Sequence, residues 1–376
     1  MTMKKTLLSS VAFATLTTLS MASTSSQISS LKKEMASMTE KIEALESKKY
    51  TKVKSKVPLL KISGKHYLGF VSDTQKGGDT ENAFETRRNY IQIKGYFNED
   101  SKDFFRITLD TFHNTGETTG KDENSWEVRL KYAYLYLDEI LPYTGVELGQ
   151  VHRPWIDNEE HGGWNYRSIS KVFVEASNGA HLTNSADLGF NFKTKTEYFS
   201  SELGLFNGEG YHGEEDGKGL SAEWRLTGHI LGGGTHKAKK KNHYANISFF
   251  GQMNADSNKH KNADLNWYGV HAVYNQPEFL LAGQYVTTES ADAKYAGKGF
   301  SVNGEYRFMK DWNIIGRYDS FEKDTNTNGE QTTAIAGLTY KYNKSVEFIV
   351  NYRGQTNNKD SGNDQDAVML TAEINW

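Results

Sequence analysis

The sequence predicts an all-β protein, an antiparallel transmembrane β-barrel of about 16 strands preceded by a short N-terminal α-helical coiled coil. Three observations predict it: segments of about ten residues alternate apolar and polar side chains, short turns alternate with long polar loops, and hydrophobic residues make up only 37% of the chain. A dry core of this size needs more apolar residues, about 45–50% with glycine counted. Aromatic residues reach 12%, which disordered chains rarely do. The barrel is therefore expected to have a wet interior.

Residues 1–22 have the pattern of a bacterial secretory signal. The basic start MTMKK is followed by the apolar LLSSVAFATLTTLSM and the small-x-small site Ser20-Met21-Ala22. Its removal takes away two lysines and makes the formal net charge of −3 more negative. The remaining chain is not basic enough for nucleic acid. Since it contains no cysteine, disulfides and thiol catalysis are excluded.

Residues 23–49 are predicted to form the coiled coil, and residues 50–59 a basic linker. Six apolar residues follow 3-4-3-4-3 spacing, with charged residues between them: Ile28, Leu31, Met35, Met38, Ile42 and Leu45. This narrow heptad stripe predicts self-association in the periplasm. A single amphipathic helix docked on its own domain is the alternative. About three heptads are marginally stable alone, so the oligomer is expected to be held together elsewhere as well.

Residues 60–376 are predicted to form the barrel. The terminal AVMLTAEINW is apolar on one face and mostly polar on the other, and it ends on Trp376. Because lipid offers no hydrogen bonds to the backbone, this last strand is expected to pair with the first, with Trp376 at the periplasmic interface. In WEVRLKYAYLYL the alternation assigns one set to the lipid face: Val128, Leu130, Tyr132, Tyr134 and Tyr136.

The connections fall into two classes. Short turns are predicted at Lys193–Thr196, Asn275–Glu278, Phe308–Asp311 and Tyr342–Ser345, and longer loops at Asn254–Ala263 and Asp324–Gln331. This alternation is typical of an up-and-down barrel with both termini on the periplasmic side. A secreted β-sandwich or β-helix is the soluble alternative, in which the apolar faces would meet in a dry core.

With the apolar face on lipid, the other face of each strand lines the lumen. The basic candidates are Arg88, Lys94, Arg106, Arg129, Lys131, Arg225, Arg307, Arg317, Lys341 and Arg353. The acidic candidates are Asp110, Glu127, Glu147, Glu202, Glu223, Glu305, Asp319, Glu347 and Glu373. These charges either solvate a wet wall or create a transverse field that orders permeating ions and polar solutes.

The connection from Arg153 to Ser185 is far longer than the others. Barrels of this size are often narrowed by a loop that folds inward, and long loops in compact domains are usually functional. Its charged residues are the candidates for a constriction: Arg153, Asp157, Glu159, Glu160, Arg167, Lys171 and Glu175. An external surface loop is the alternative.

Three motifs carry little chemistry. His161–Trp164 (HGGW) lacks a nucleophile elbow elsewhere in the chain, and Asp324–Gly329 (DTNTNG) lacks the glutamate that a calcium loop needs at its twelfth position. Gly232–Lys241 (GGGTHKAKKK) lacks the strand-to-helix context of a phosphate loop and is interpreted as a longer periplasmic turn. No catalytic residue, cofactor or metal site is predicted.

Four stretches resemble the bacterial phosphate-selective porin O and P family: ETRRNYIQIKGYF (85–97), GQVHRPW (149–155), LGLFNGEG (203–210) and TYKYNKSVEFIVNYRG (339–354). The resemblance implies a trimer of 16-stranded channels, sometimes with an N-terminal coiled coil. It also implies anion or phosphate uptake through wall arginines and a lysine cluster. Here the wall is mixed in charge, and the terminal residue is Trp where the family more often has Phe.

The predicted function is a non-enzymatic, homotrimeric porin in the outer membrane of a Gram-negative bacterium, which passes small hydrophilic solutes and ions by diffusion. One alternative is an anion- or phosphate-selective channel, in which Arg106, Arg129, Arg307 and Arg317 would form one basic track. Another alternative is a plugged structural or adhesive protein, with the coiled coil as a periplasmic tether.

Overall fold

A computed structural model describes residues 29–40, 56–98, 102–113, 125–213, 219–235, 238–257, 263–291, 295–323, 329–358 and 364–376. The chain divides into two compact units, Met1–Lys56 and Val57–Trp376. Helix α1 (29–40) is the described part of the first unit, and it leaves Met35 and Met38 exposed along its apolar stripe. The predicted signal, the remainder of the predicted coiled coil and most of the linker lie outside the described residues. Among the described residues, no helix is both long and apolar enough to cross a membrane.

The second unit is a closed barrel of 16 antiparallel strands, each hydrogen-bonded to its neighbours in sequence. This confirms the predicted antiparallel β-barrel and its strand number. One further helix, α2 (Ile156–Gly162), lies between the fifth and sixth strands. The strands are β1 (Leu59–Gln75), β2 (Thr80–Tyr96), β3 (Phe104–His113), β4 (Trp126–Leu141), β5 (Thr144–His152), β6 (Ala186–Lys195), β7 (Phe199–Phe206), β8 (Ser221–Leu231), β9 (Tyr244–Ser257), β10 (Ala263–Gln276), β11 (Phe279–Ser290), β12 (Gly297–Met309), β13 (Trp312–Lys323), β14 (Glu330–Lys341), β15 (Val346–Asn357) and β16 (Gln365–Asn375).

The barrel closes through β1 and β16, as the C-terminal sequence predicts. The Gly64 amide donates to the Trp376 carbonyl at 2.9 Å, and the Trp376 amide donates to the Gly64 carbonyl at 3.1 Å. The Trp376 indole stacks on His66 with ring centroids 6.1 Å apart. A Cβ on residue 64 would lie 2.5 Å from that indole, so the close approach requires glycine. The terminal tryptophan is thus held by the first strand.

Along most strands, apolar side chains point outward and polar side chains point into the lumen. In β12, Phe300 and Val302 are exposed on the outside, whereas Ser301 and Asn303 are buried inside. This inverted pattern is what a barrel needs when lipid surrounds it and water fills it.

The prediction for β4 was wrong after Lys131, because a β-bulge interrupts its pairing with β3. Thr108 pairs with Tyr132, but the next residue of β3, Leu109, pairs with Leu130. The extra residue places Lys131 and Tyr132 on the same side of the sheet and reverses the alternation beyond them. The three tyrosines assigned to the lipid face line the lumen instead: Tyr132, Tyr134 and Tyr136.

Most short connections share one end of the barrel with both chain ends of the second unit, and most longer connections share the other end, where residues 76–79 between β1 and β2 are the short exception. The lysine-rich 232–243 connection lies at the short-turn end between β8 and β9.

Candidate functional site: the lumen and its inward loop

Residues 153–185, here called the inward loop, fold into the lumen and carry the largest hydrophobic cluster of the barrel. Nine of its large apolar residues have at most 3% of their surface exposed: Trp155, Ile156, Trp164, Tyr166, Ile169, Val172, Phe173, Val174 and Leu182. They pack with inner-wall residues such as Phe250, Val286 and Phe321. The apolar side chains of the loop therefore bury a part of the wall that would otherwise face water.

The tightest aromatic contact of the loop is made at its start. The Trp155 indole stacks on Phe250 of β9, with centroids 3.7 Å apart and an interplanar angle of 7°. The same indole meets the edge of His271 at 5.0 Å. These contacts attach the beginning of α2 to β9 and β10.

Side chains of later strands bind the loop backbone across the lumen. Asn303 of β12 donates to the Gly163 carbonyl at 3.0 Å, and Thr333 of β14 donates to the Asn178 carbonyl at 2.7 Å. Arg87 of β2 reaches the Ser168 carbonyl from the other side at 3.4 Å. Because its bonds come from both sides of the barrel, the loop spans the lumen at a fixed height.

Two of the predicted constriction residues anchor the loop instead of facing open space. Arg153 is 2% exposed and forms a bidentate ion pair with Glu223 of β8. Glu159 is 1% exposed and accepts hydrogen bonds from the Trp155 indole and the Gln284 amide. Burial raises the pKa of Glu159 to about 7, and the nearby Arg317 opposes that rise.

Three other charged residues of the loop line the open cavity: Asp157, Glu160 and Arg167. The Arg167 guanidinium is bound by Glu160 and by Glu175, the latter at 2.6 Å, and Lys171 lies 3.3 Å from Glu175. Because this cluster holds two cations and two carboxylates, the charge of Glu160 is compensated within it, and Asp157 is the acid of α2 that lies outside it.

The cavity left open between the loop and the wall has a volume of about 850 Å³. Its wall carries a belt of alternating charge on neighbouring strands. Lys193 of β6 lies 3.3 Å from Glu147 and 3.4 Å from Glu202, and Glu202 lies 3.1 Å from Arg225. Sequence analysis missed Lys193, because the residue stands at the predicted boundary between strand and turn.

Arg106 and Lys131 also line this cavity, and among the described residues neither has a carboxylate within 4 Å. Arg106 donates to Thr108 at 3.0 Å and contacts His152 at 3.0 Å. Lys131 donates to the Tyr90 hydroxyl at 3.0 Å. Lys94 lines the same cavity closer to the short-turn end.

Arg88 and Arg129 flank the buried Asp110 on the intervening strand. Their guanidinium nitrogens lie 3.0 and 2.9 Å from the same carboxylate oxygen. Their charges are therefore partly compensated, and Asp110 fixes both side chains against the wall.

The other two predicted arginines lie on the opposite side of the barrel. Arg317 binds Asp319 at 2.6 Å and donates to the carbonyl of Lys171 in the inward loop at 2.7 Å. Arg307 binds Glu305 at 2.9 Å and donates to the Lys240 carbonyl at 3.0 Å. Since Arg307 and Arg317 stabilise neighbouring segments, the four arginines of the anion-channel hypothesis do not form one track.

The lysine-rich turn supports the loop from the short-turn end. Lys240 donates to the Tyr166 hydroxyl at 3.0 Å and lies 3.0 Å from Glu305. Within the described part of the chain, no three histidine or acidic side chains converge to hold a metal ion.

No protein-family model and no curated protein matches this chain. Solved structures do. OmpF of Salmonella typhi, in complex with daunomycin, is 17% identical with a TM-score of 0.58, over 84% of this chain and 97% of that one. The anion-selective porin from Comamonas acidovorans is 11% identical with a TM-score of 0.60, and the match covers 85% of this chain and 99% of that porin. In-vitro folded OmpT of Vibrio cholerae, in its trimer form, is 12% identical with a TM-score of 0.55, and the match covers 84% of this chain and 99% of that protein. The chain therefore has the fold of bacterial outer-membrane porins.

Proposed function

We propose that the protein is a porin of a Gram-negative outer membrane, through which small hydrophilic solutes and ions diffuse passively. The observation that supports this most is the closed barrel with an apolar outer wall and a charged lumen. Such a barrel satisfies its whole backbone inside lipid while it encloses water. We propose that the open cavity of about 850 Å³ beside the inward loop is the part of this path on the short-turn side.

The inward loop is the proposed constriction. Asp157 and Glu160 face the lumen from α2, and Arg106 and Lys131 face it from the wall. Opposite charges on the two sides of a narrow aqueous path create a transverse field, which orients dipolar solutes as they pass. We assign wall positioning to Arg88, Asp110 and Arg129, and loop anchoring to Arg153, Glu159, Arg307, Arg317 and Asp319.

The outer wall of β1–β3 supports a homotrimer. His66 hydrogen-bonds to Asn89 at 2.8 Å, and Asn89 donates to Thr111 at 2.9 Å, on the same face as the exposed Leu68 and Ile91. Polar side chains on an outer wall are unfavourable against lipid and are accommodated better against another protein. We place the subunit contact there, and we propose that residues 23–49 form the periplasmic coiled coil that reinforces it. Removal of residues 23–49 should weaken the trimer but leave each barrel folded, as measured by native mass spectrometry in detergent.

A general channel fits the mixed wall better than a phosphate-selective one does. Arg307 and Arg317 are each paired with an acid, and the loop adds Asp157 and Glu160 to the cavity. A doubly charged anion would meet these acids beside the proposed constriction. We therefore propose that the phosphate specificity implied by the sequence resemblance to the phosphate-selective porin O and P family does not apply to this channel.

The test is single-channel recording of the detergent-purified protein in a planar bilayer, with a potassium chloride gradient across it. Stepwise conductance in groups of three is expected from an open trimer. The sign of the reversal potential measures the preference for anions or cations. A folded barrel that shifts on heating in gel electrophoresis but conducts no current would contradict the channel and favour the plugged structural protein.

A further inference from the structure

The inner face of β1–β4, between the inward loop and the short-turn end, is both basic and aromatic. Its inward-facing residues include Lys94, Phe104, Arg106, Lys131, Tyr132 and Tyr134, here called the basic–aromatic sector. Between the Asp110 position and the short-turn end, the inner faces of these four strands carry no carboxylate until Asp138 near the end of β4 and Asp103 in the connection before β3. The rest of the wall alternates acids and bases, so this sector is locally cationic.

Each cation of the sector lies over an aromatic ring. The Arg106 guanidinium lies 4.5 Å from the centroid of the Tyr132 ring, and the Lys131 ammonium lies 5.3 Å from the same centroid. Lys94 continues the series at 4.4 Å from the Phe104 ring. Contact with a ring leaves a cation attractive to anions while it displaces part of its water.

The aromatic rings of the sector also contact one another in a continuous row. Phe104 lies 6.0 Å from Tyr134 and 5.1 Å from Tyr136, centroid to centroid. Phe104 and Tyr136 are half-buried, so part of each ring faces the cavity. The sector thus combines apolar ring surface with Arg106 and Lys131, neither of which has a carboxylate within 4 Å among the described residues.

Cations beside exposed aromatic rings favour ligands that carry both a negative charge and a flat apolar group. A carboxylate can bind Arg106 and Lys131 while a flat ring attached to it packs on the half-buried Phe104 and Tyr136. A short aliphatic acid lacks the ring, and a phosphate dianion lacks the ring and is repelled more strongly by Asp157, which lines the same cavity. The sector is therefore suited to bind singly charged anions that contain an aromatic ring.

We propose that the basic–aromatic sector is a binding site for small aromatic monocarboxylates on their way through the channel, an inference that rests on the proposed porin function. Benzoate is the simplest probe.

The experiment is a planar-bilayer recording of the full-length protein in potassium chloride, with benzoate, acetate or phosphate added at equal concentration. Benzoate should interrupt the open current about tenfold more often than acetate, the ratio that about 1.4 kcal/mol of ring contact gives. Arg106→Gln should abolish the interruptions, and Phe104→Leu should reduce benzoate to the level of acetate. Lys344→Gln is the matched control, since this lysine lies on an exposed turn outside the sector.

Equal interruption by benzoate and acetate, or interruptions that persist in Arg106→Gln, would overturn the site. Calorimetric titration of the detergent-purified protein with benzoate measures the same site without conductance. A channel that conducts but takes up no benzoate contradicts the site alone. A protein that binds benzoate without conducting contradicts the porin function and leaves the site standing.

Discussion

Glu159 links the docking of the inward loop to pH. Its carboxyl group is buried between Trp155 and Gln284, and the charged or titratable groups closest to it are Arg317, Asp319 and His271, the last through Trp155. Burial raises the pKa to about 7, so the docked loop retains a proton that an undocked, solvated glutamate releases near pH 4.5. The docked form is therefore favoured fully below about pH 4.5, and this contribution is lost as the pH rises through 7.

The predicted effect of pH is a looser loop in alkaline solution. This pKa shift corresponds to a difference of about 3 kcal/mol between the protonated and ionised forms of Glu159. That figure is the largest free energy of loop docking that ionisation of Glu159 can remove. We expect the noise of the open-channel current to rise between pH 6 and pH 8 in the native protein and to stay constant in Glu159→Gln. Glu160→Gln, which changes an acid on the exposed side of the same helix, should keep the pH dependence. A flat pH profile in the native protein would contradict the assignment.

Trp155 contributes most of the aromatic contact at the start of the loop. Replacing a buried tryptophan with alanine typically costs about 3–5 kcal/mol. Trp155→Ala should therefore release α2 from Phe250 and give a larger, noisier single-channel conductance. Trp126→Ala is the control, because that tryptophan is 52% exposed at the start of β4. Unchanged conductance in Trp155→Ala would show that the bonds from Asn303 and Thr333 hold the loop by themselves.

At the scale of the element, the bulge in β4 decides which side chains line the channel. Gln150 of β5 donates to the carbonyls of Leu130 and Lys131 at 2.7 and 2.9 Å, so it satisfies backbone groups where the ladder is interrupted. Since Lys131 is the extra residue, its removal would restore a regular ladder and leave every other side chain of β4 on its present face.

This geometry predicts an unusual tolerance. Deletion of Lys131 should give a barrel that still folds, whereas deletion of Ala133, two residues further on, should turn Tyr134 and Tyr136 toward lipid and impair assembly. The fraction of each deletion variant that changes its mobility in gel electrophoresis after heating measures how much folded barrel it forms. If both deletions assemble equally well, the bulge does not set the register of β4.

At the scale of the whole molecule, closure depends on the fit between the first strand and the last residue. The Trp376 indole occupies the space that a side chain at residue 64 would need. Its indole nitrogen also donates to His66 at 2.9 Å. One missing side chain on β1 thus allows the chain terminus to be fixed.

Gly64→Val should displace the indole and slow or weaken barrel closure. Gly283→Val is the matched control, since a Cβ there would find its nearest atom at an ordinary 3.7 Å. The rate of folding into detergent micelles, followed by tryptophan fluorescence, should fall for the first variant and change little for the second. Equal rates would mean that the pairing of β1 with β16 tolerates loss of the terminal contact.

The sequence by itself determined the barrel, the number and direction of its strands, and the outward face of most of them. These follow from local regularities: a two-residue period, the lengths of connections and the requirement that lipid places on backbone groups. The same regularities identified residues 153–185 as an exceptional connection and Arg106, Lys131, Asp157 and Glu160 as lumen candidates.

Only the tertiary structure decided how those candidates are used. Whether an arginine faces open water or holds a neighbouring carbonyl depends on partners far away in sequence, as Arg317 beneath Lys171 illustrates. The reversal at Lys131 depends on one unpaired residue, which leaves no trace in a pattern of alternating tyrosines. The periodicity of the sequence therefore predicts the fold. The side chains that line the lumen, and their partners, depend on strand register and long-range contacts, which periodicity does not predict.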